Sequence, residues 1–352
     1  MAEEDGLPPD PRQLLHDAEP GRRLDYLVGR AGMAPSPYNT QPWRFRSKDS
    51  AVVDLQRDVS RRLPEADPEG RLQFLALGAA LENFLIAAAD LGHAPTLEWF
   101  PEGEEGATVA RIRLGEPGAL PDPDPRVELQ ALRRTAHGPL HGTADTAMRE
   151  MVGSLELEAV RLDWVAEAGR EAVADLAAEA VGDQWRRPAF RRELLHWLRK
   201  DTAALEEYRD GMPLLRRRRV PGWLAEAVRR AMLRMPGLFH PKRKAARRMR
   251  KAPALLVLAT ERDDPRGWLA AGRAYQRLGL ELAHAGVALG PEAVLTADPG
   301  VRPRTAELLG CEHPQLVMRV GRARPGPPLP RRRLHRVLNP PAPNFPLYPR
   351  TD

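Results

Sequence analysis

Cysteine is almost absent from this chain. Cys311 alone among 352 residues excludes an internal disulfide and a thiolate zinc cage, and reads as a small buried apolar side chain. Neither HExxH, GxSxG nor a P-loop occurs, so zinc hydrolysis, serine esterase and NTPase chemistry lose their usual warrants. His137 and His141 are four apart, but Gly138 and Pro139 between them exclude a helix, so no metal site is expected there. No apolar run is read as approaching the roughly 18 residues of a membrane span. The start, "MAEEDGLPPDPRQ", is acidic and Pro-rich, the opposite of a secretory signal. A soluble, cytoplasmic protein is the expectation.

Charge is present in quantity but unevenly spread. The window Arg216 to Lys251 holds 14 Lys and Arg against the single acid Glu226, so it carries +13 in a chain whose net charge is only +6. A mildly acidic body therefore bears one intensely basic segment. Its Trp223, Leu224, Val228, Met232 and Met235 describe a broadly amphipathic helix. Three readings stay open: a surface helix packed on the body, a lid over a ligand site, or a patch for nucleic acid or an anionic membrane surface.

Residues 34 to 43, "APSPYNTQPW", interrupt helical spacing at Leu24, Leu27 and Val28 and precede strand-like "RFR" and "AVVDL". Two prolines exclude a regular helix, leaving a shaped loop that could aim Ser36, Asn39 and Gln41 at a ligand. The alternative is a Pro-rich connector plugged by Trp43. Further on, "FLALGAALENFLIAAADLGHA" and "WLAAGRAYQRLGLELAHAGVA" align without a gap at an offset of 194, placing Gly272 on Gly78 and Gly286 on Gly92. Each leads towards an apolar strand, "TVARIRL" or "QLVMRVG". An internal duplication is predicted, with a ligand at the pseudo-symmetric seam.

In order, "APSPYNTQPW", "LGAALENFLIAAADLG", "RRTAHGPL", "DGMP", "HPQLVMRVG" and "PRRRL" resemble the nitroreductase superfamily, and its fused single-chain Acg-like branch, from about Leu24 to Leu338. The resemblance implies an α+β fold: two tandem related halves forming an intramolecular pseudo-dimer around mixed β-sheets. It implies FMN at the interface and NAD(P)H as a transient electron donor. No G-x-G-x-x-G follows a strand, in keeping with a nicotinamide that binds only transiently over the flavin. Arg133, Arg134 and Thr135 resemble the family's phosphate motif, with His137 where a further basic residue is usual. The second part of the cradle falls on Arg331 and Arg333. Ser36 and Asn39 match positions touching the ring or ribityl chain, and Gln41 and Trp43 buttress them. Pro291, Ala293 and Val294 match the backbone segment beside N5, Glu292 falling one residue early. Guanidinium forks suit a terminal phosphate, and a reducible ring needs donors at its edges.

The implied parts are split between the halves. The loop lies in the first, the cradle and N5 segment in the second, and the reciprocal set has decayed to "EMVGSLELEAVRLDWV" and "GRRLDYL". One flavin per chain is predicted, with no obligate oligomer. Expected boundaries are an acidic disordered tail 1–19, a first half 20–118, a linker 119–128, a second half 129–340 carrying a lid-like insertion 210–251, and a tail 341–352. The function implied is an NAD(P)H-dependent oxidoreductase of nitroaromatic or quinone-like acceptors. Its rivals are a flavin-sequestering or sensory protein under an occluding lid, and an anionic-polymer binding protein.

Overall fold

The computed structural model describes residues 11–49, 51–215, 219–323, 326 and 328–340. The first half runs α1 (Pro11–His16), α2 (Pro20–Ala31), β1 (Trp43–Ser47), β2 (Val52–Arg57), α3 (Arg71–Asp90), β3 (Thr96–Trp99) and β4 (Thr108–Arg113). Leu24, Leu27, Val28 and Ala31 recur at helical spacing and are the buried stripe of α2. The expected disordered tail is corrected over 11–19, where α1 is held by Arg12 on Asp90 at 3.3 Å. Residues 1–10 and 341–352 lie outside the described residues.

The second half contains α4 (Pro125–Leu132), α5 (Thr146–Gly153), β5 (Val160–Trp164), α6 (Arg170–Arg186), α7 (Pro188–Trp197), β6 (Leu198–Arg199), α8 (Thr202–Tyr208) and β7 (Met212–Pro213). It continues with α9 (Gly222–Arg234), α10 (Pro241–Arg250), β8 (Ala254–Thr260), α11 (Pro265–His284), β9 (Ala288–Pro291), α12 (Val294–Ala297), α13 (Arg302–Leu309) and β10 (Pro314–Gly321). The expected linker is shortened by α4, which Asp124 caps at the Arg126 amide.

Sheet order is consistent with the duplication. The first sheet runs β1-β2-β4-β3 and the second β5-β8-β10-β9, each strand occupying its counterpart's place. Their ladders are antiparallel. The mixed character comes from their edges, where Phe45 bridges Leu338 and Thr135 bridges Leu289 in parallel. Strands β8 and β10 are buried at every residue; β8 carries no charge, whereas β10 buries Gln315 and Arg319 among its apolar residues.

Helices α3 and α11 form the seam. A Cβ on Gly78 would collide with the Leu269 carbonyl oxygen, and one on Gly272 with that of Leu75. Those four positions are related by the same offset of 194, so the helices cross about a pseudo-two-fold axis at glycine contact. One sequence reading is corrected here. Helix α3 is long and apolar enough to cross a membrane by length and composition, yet 89% of that window is buried inside the chain.

The halves differ in what joins their first two strands. A short hairpin links β1 to β2, whereas α6 to α10 separate β5 from β8, so the added segment begins well before residue 210. Nor is the whole basic segment a lid: Ala245, Ala246 and Met249 of α10 are buried, and Met249 joins the core beneath α6. Helix α9 packs on α7 with Ala225 and Met232 inward. Residues 216–218 lie outside the described residues. Finally, the end of the second half crosses to the first: the Phe45 amide donates to Val337 and the Asn339 amide to Phe45.

Candidate functional site

The 34–42 loop is shaped by its own side chains. Ser36 Oγ accepts from the Gln41 amide at 2.9 Å, closing a turn around Pro37–Asn39. Tyr38, Asn39 and Gln41 all adopt positive φ, a strained path that side-chain bonds sustain. Asn39 is buried. Its amide donates to the carbonyls of Gly211 and Pro330, each at 3.2 Å, and its Oδ1 accepts from Arg331 at 2.8 Å. Gln41 donates to the Arg209 carbonyl at 2.8 Å and accepts from the Arg332 amide at 2.7 Å. These polar groups bind the loop to the second half. Gln41 and Asn39 spend their polar atoms on the second half, and Ser36 on the turn itself.

The crossing C-terminal segment brings Arg331 to this loop, where its second Nη donates to the Met33 carbonyl at 3.1 Å. Across the seam, Arg133 ends α4 and is buried, with its Nη1 on Thr135 Oγ1 at 3.3 Å and Tyr275 of α11 close enough to favour its charge. Gly279 makes room for it: a Cβ there would press on Arg133 Cδ at 3.1 Å. Burial lowers Arg133 and Arg134, and pushes Arg331 down to about 9 with help from the charges of Arg133 and Arg134. The Nε groups of Arg133 and Arg331 are buried without a partner. No carboxylate of the described residues stands within ion-pair distance of these three guanidiniums. A buried cluster of one sign is costly, and an anion removes that cost.

Not every expected cradle residue joins this cluster. Arg333 and His137 are exposed. The chain instead turns Arg332 inward, donating to the carbonyls of Gln41 at 3.0 Å and Trp43 at 3.3 Å. Burial, with the charge of Arg61, pushes it down to about 9. Sequence reasoning missed Arg332 because an extended "PRRRL" nominates alternate residues, and it missed Tyr275 because an aromatic on a core helix carries no mark of its partner.

Thr135 is held against β9 by its bridge to Leu289, with the Ala136 amide on the Leu289 carbonyl at 2.8 Å. Pro291 ends that strand and Ala293 precedes α12, while Val294 is buried in the core. Glu292 is consumed elsewhere, accepting from Arg319 at 2.7 Å and Arg248 at 3.1 Å. The expectation that backbone rather than carboxylate counts here fits this geometry.

The pseudo-symmetric counterpart lies beside β3 and the 154–159 turn, a cavity of about 680 Å³ lined by Trp99, Glu156 to Ala159, Arg273 and Arg277. Arg273 and Arg277 are already neutralised there, and Arg266 lies over the Trp99 ring. Glu82, almost fully buried, accepts from Arg273 at 2.9 Å and Arg277 at 2.6 Å. The two ends of the seam therefore differ in electrostatics though they share a topology.

No family model matches the sequence. Over 340 residues the chain is 31% identical to "Putative NAD(P)H nitroreductase Rv3131" of Mycobacterium tuberculosis, covering 92% of each chain. Over 329 residues it is 28% identical to "Putative NAD(P)H nitroreductase acg" of the same organism, covering 89% of this chain and 94% of that one. Among solved structures, overlay on the FMN and NADPH-dependent nitroreductase NfnB of Sphigopyxis is loose, with a TM-score of 0.39 at 16% identity over 62% of this chain and 99% of that one. With identity sustained across both halves and the seam, the chain belongs to the nitroreductase superfamily, alongside the Acg-like proteins of Mycobacterium tuberculosis.

Proposed function

We propose that the chain binds one FMN at the seam and acts as an NAD(P)H-dependent oxidoreductase of nitroaromatic or quinone-like acceptors. The observation that carries this reading is the trio Arg133, Arg134 and Arg331, gathered from two distant segments with no carboxylate to neutralise them. Such a trio fits the terminal phosphate of FMN, which guanidinium forks bind by paired, charge-assisted bonds. FMN, when bound, supplies hydride acceptance and donation at N5. The protein's part is to hold and orient: Thr135 and Gly279 place Arg133, Asn39 places Arg331, and the end of β9 offers backbone beside the ring. The names of the relatives supply the electron donor.

Flavin released by heat from the purified protein tests the cradle. Arg133→Glu and Arg331→Glu each abolish FMN retention, because a desolvated guanidinium–phosphate pair contributes several kcal/mol whereas exposed pairs contribute about 0–1. Arg304→Glu, on the exposed surface beside Glu179, leaves it intact. Normal flavin content in both cradle variants overturns the assignment. Anaerobic mixing with NADPH then separates reductase from reservoir: bleaching of the flavin within seconds is expected of the first and fails in the second.

A further inference from the structure

The basic segment presents a surface that the flavin reading does not use. On α9 the inward side is Ala225 and Met232, while Trp223, Ala227, Arg230 and Arg234 share the outward face at i, i+4, i+7 and i+11. Trp223 is 73% exposed, and Met235 and Leu238, immediately beyond the helix, are 55% and 60% exposed. Leu233 is exposed at the edge of the same face. Most large apolar side chains of a folded protein find cover, so four uncovered within sixteen residues mark a surface built for contact. The sequence-based lid is not its explanation. Val228 and Met232 are turned towards α7, and Arg229 donates to the Leu195 and Leu198 carbonyls, so Trp223 faces away from the body.

We propose that this face docks on an anionic phospholipid bilayer. The charge selects that occupant. Between Arg219 and Lys251 the exposed cations include Arg219, Arg230, Arg234, Arg243, Lys244 and Arg247, and the only acid is Glu226, which accepts from Arg230 at 2.9 Å. A second copy of the chain would bring the same positive surface against this one. Nucleic acid would satisfy the guanidiniums, yet it offers no apolar depth for Leu233, Met235 and Leu238, whose aliphatic side chains cannot stack on bases as aromatic rings do. A bilayer interface meets both demands. Trp, Leu and Met enter the headgroup–acyl boundary while Arg and Lys stay with the phosphates, each basic residue adding to binding at an anionic surface.

Sedimentation of the FMN-loaded, full-length protein with vesicles tests this. Strong binding is expected to equimolar phosphatidylglycerol and phosphatidylcholine, little to phosphatidylcholine alone, and a marked loss of binding in molar salt. Trp223→Ser combined with Leu238→Ser lowers partitioning by roughly tenfold or more, and Arg230→Glu with Arg234→Glu does the same. All four positions are exposed, so flavin content and melting temperature stay at the wild-type values, which separates failure here from failure of the flavin site. Equal binding to both vesicle types, or none to either, overturns the proposal. So does a mobility shift of a DNA or RNA duplex without vesicle binding, or a concentration-dependent dimer that Trp223→Ser abolishes.

Discussion

At the scale of residues, the site is built by polar side chains spent on geometry. Asn39 connects the 34–42 loop to Gly211, Pro330 and Arg331 from a positive-φ position. Asn39→Ala leaves two carbonyls and one guanidinium nitrogen without their partners, so a stability loss of about 1–3 kcal/mol is expected, with weaker FMN binding as Arg331 loosens. Urea unfolding read beside an FMN titration checks both, and unchanged affinity despite lower stability would detach Asn39 from the cradle. Two buried carboxylates give a pH signature. Glu193 of α7 accepts from the Glu65 and Ala66 amides at 2.8 and 3.0 Å, and burial raises it to about 7. Burial likewise raises Asp67 to about 6, against the amides of Leu72 and Gln73. In the interval above the ordinary carboxylate values and below these raised ones, the folded chain holds protons that the unfolded chain has released. Their contribution therefore favours folding towards about pH 5 and is lost as the pH climbs through about 6 to 7. Glu193→Gln removes part of that slope and stabilises the protein at about pH 8; an identical urea-midpoint difference between the two pH values in variant and wild type would exclude Glu193 as its source.

Among elements, the seam helices answer most directly to single substitutions. Gly78→Ala or Gly272→Ala drives a methyl into the opposing backbone, and overpacking of about 1–3 kcal/mol outweighs the roughly 1 kcal/mol that Ala gains in a helix. Gly29, inside α2, has nothing within 4 Å of its would-be Cβ, so Gly29→Ala should stabilise by about 0.5–1 kcal/mol. Thermal melts of the three variants test the contrast, and similar shifts in all of them would deny close packing at the seam. The elements differ in how plainly the sequence announces them. Helices α3 and α11 were legible because their glycines recur at one offset, and β10 because "QLVMRVG" is mostly apolar despite Gln315 and Arg319. Strand β5 left little mark in the sequence, since its half-exposed residues "VRLDW" lack an apolar face of their own. The inward turn of α10 was hidden by its charge: Ala245, Ala246 and Met249 are a narrow stripe amid arginines and lysines. In the site, the arginines of "RRT" and the Asn39 loop were legible through motif order, whereas Arg332 and Tyr275 became visible only once the crossing segment and α11 were in place.

For the whole molecule, fusion of two halves allows their equivalent ends to diverge, and the divergence is electrostatic. At one end Asn39 of the 34–42 loop holds Arg331 within reach of the charges of Arg133 and Arg134, with no counter-charge among the described residues; at the other Glu82 already holds Arg273 and Arg277, and the 154–159 turn replaces the loop. An FMN phosphate gains several kcal/mol from the first arrangement but would have to displace a buried carboxylate from the second. A saturating FMN titration is therefore expected to stop near one per chain, and a value near two would show that the cavity beside Trp99 takes flavin as well. Both contributors to the end proposed for FMN belong to the same chain, through α3 against α11 and through the C-terminal crossing onto β1. The apparent flavin dissociation constant should then be independent of protein concentration over about a hundredfold dilution, because no subunit dissociation opens the site. A site shared between separate chains behaves otherwise, losing flavin as the oligomer dissociates. Fluorescence of free FMN in equilibrium dilutions, corrected for the simple one-site dissociation constant, distinguishes the two: excess release that grows with dilution would mean that a second chain completes the site.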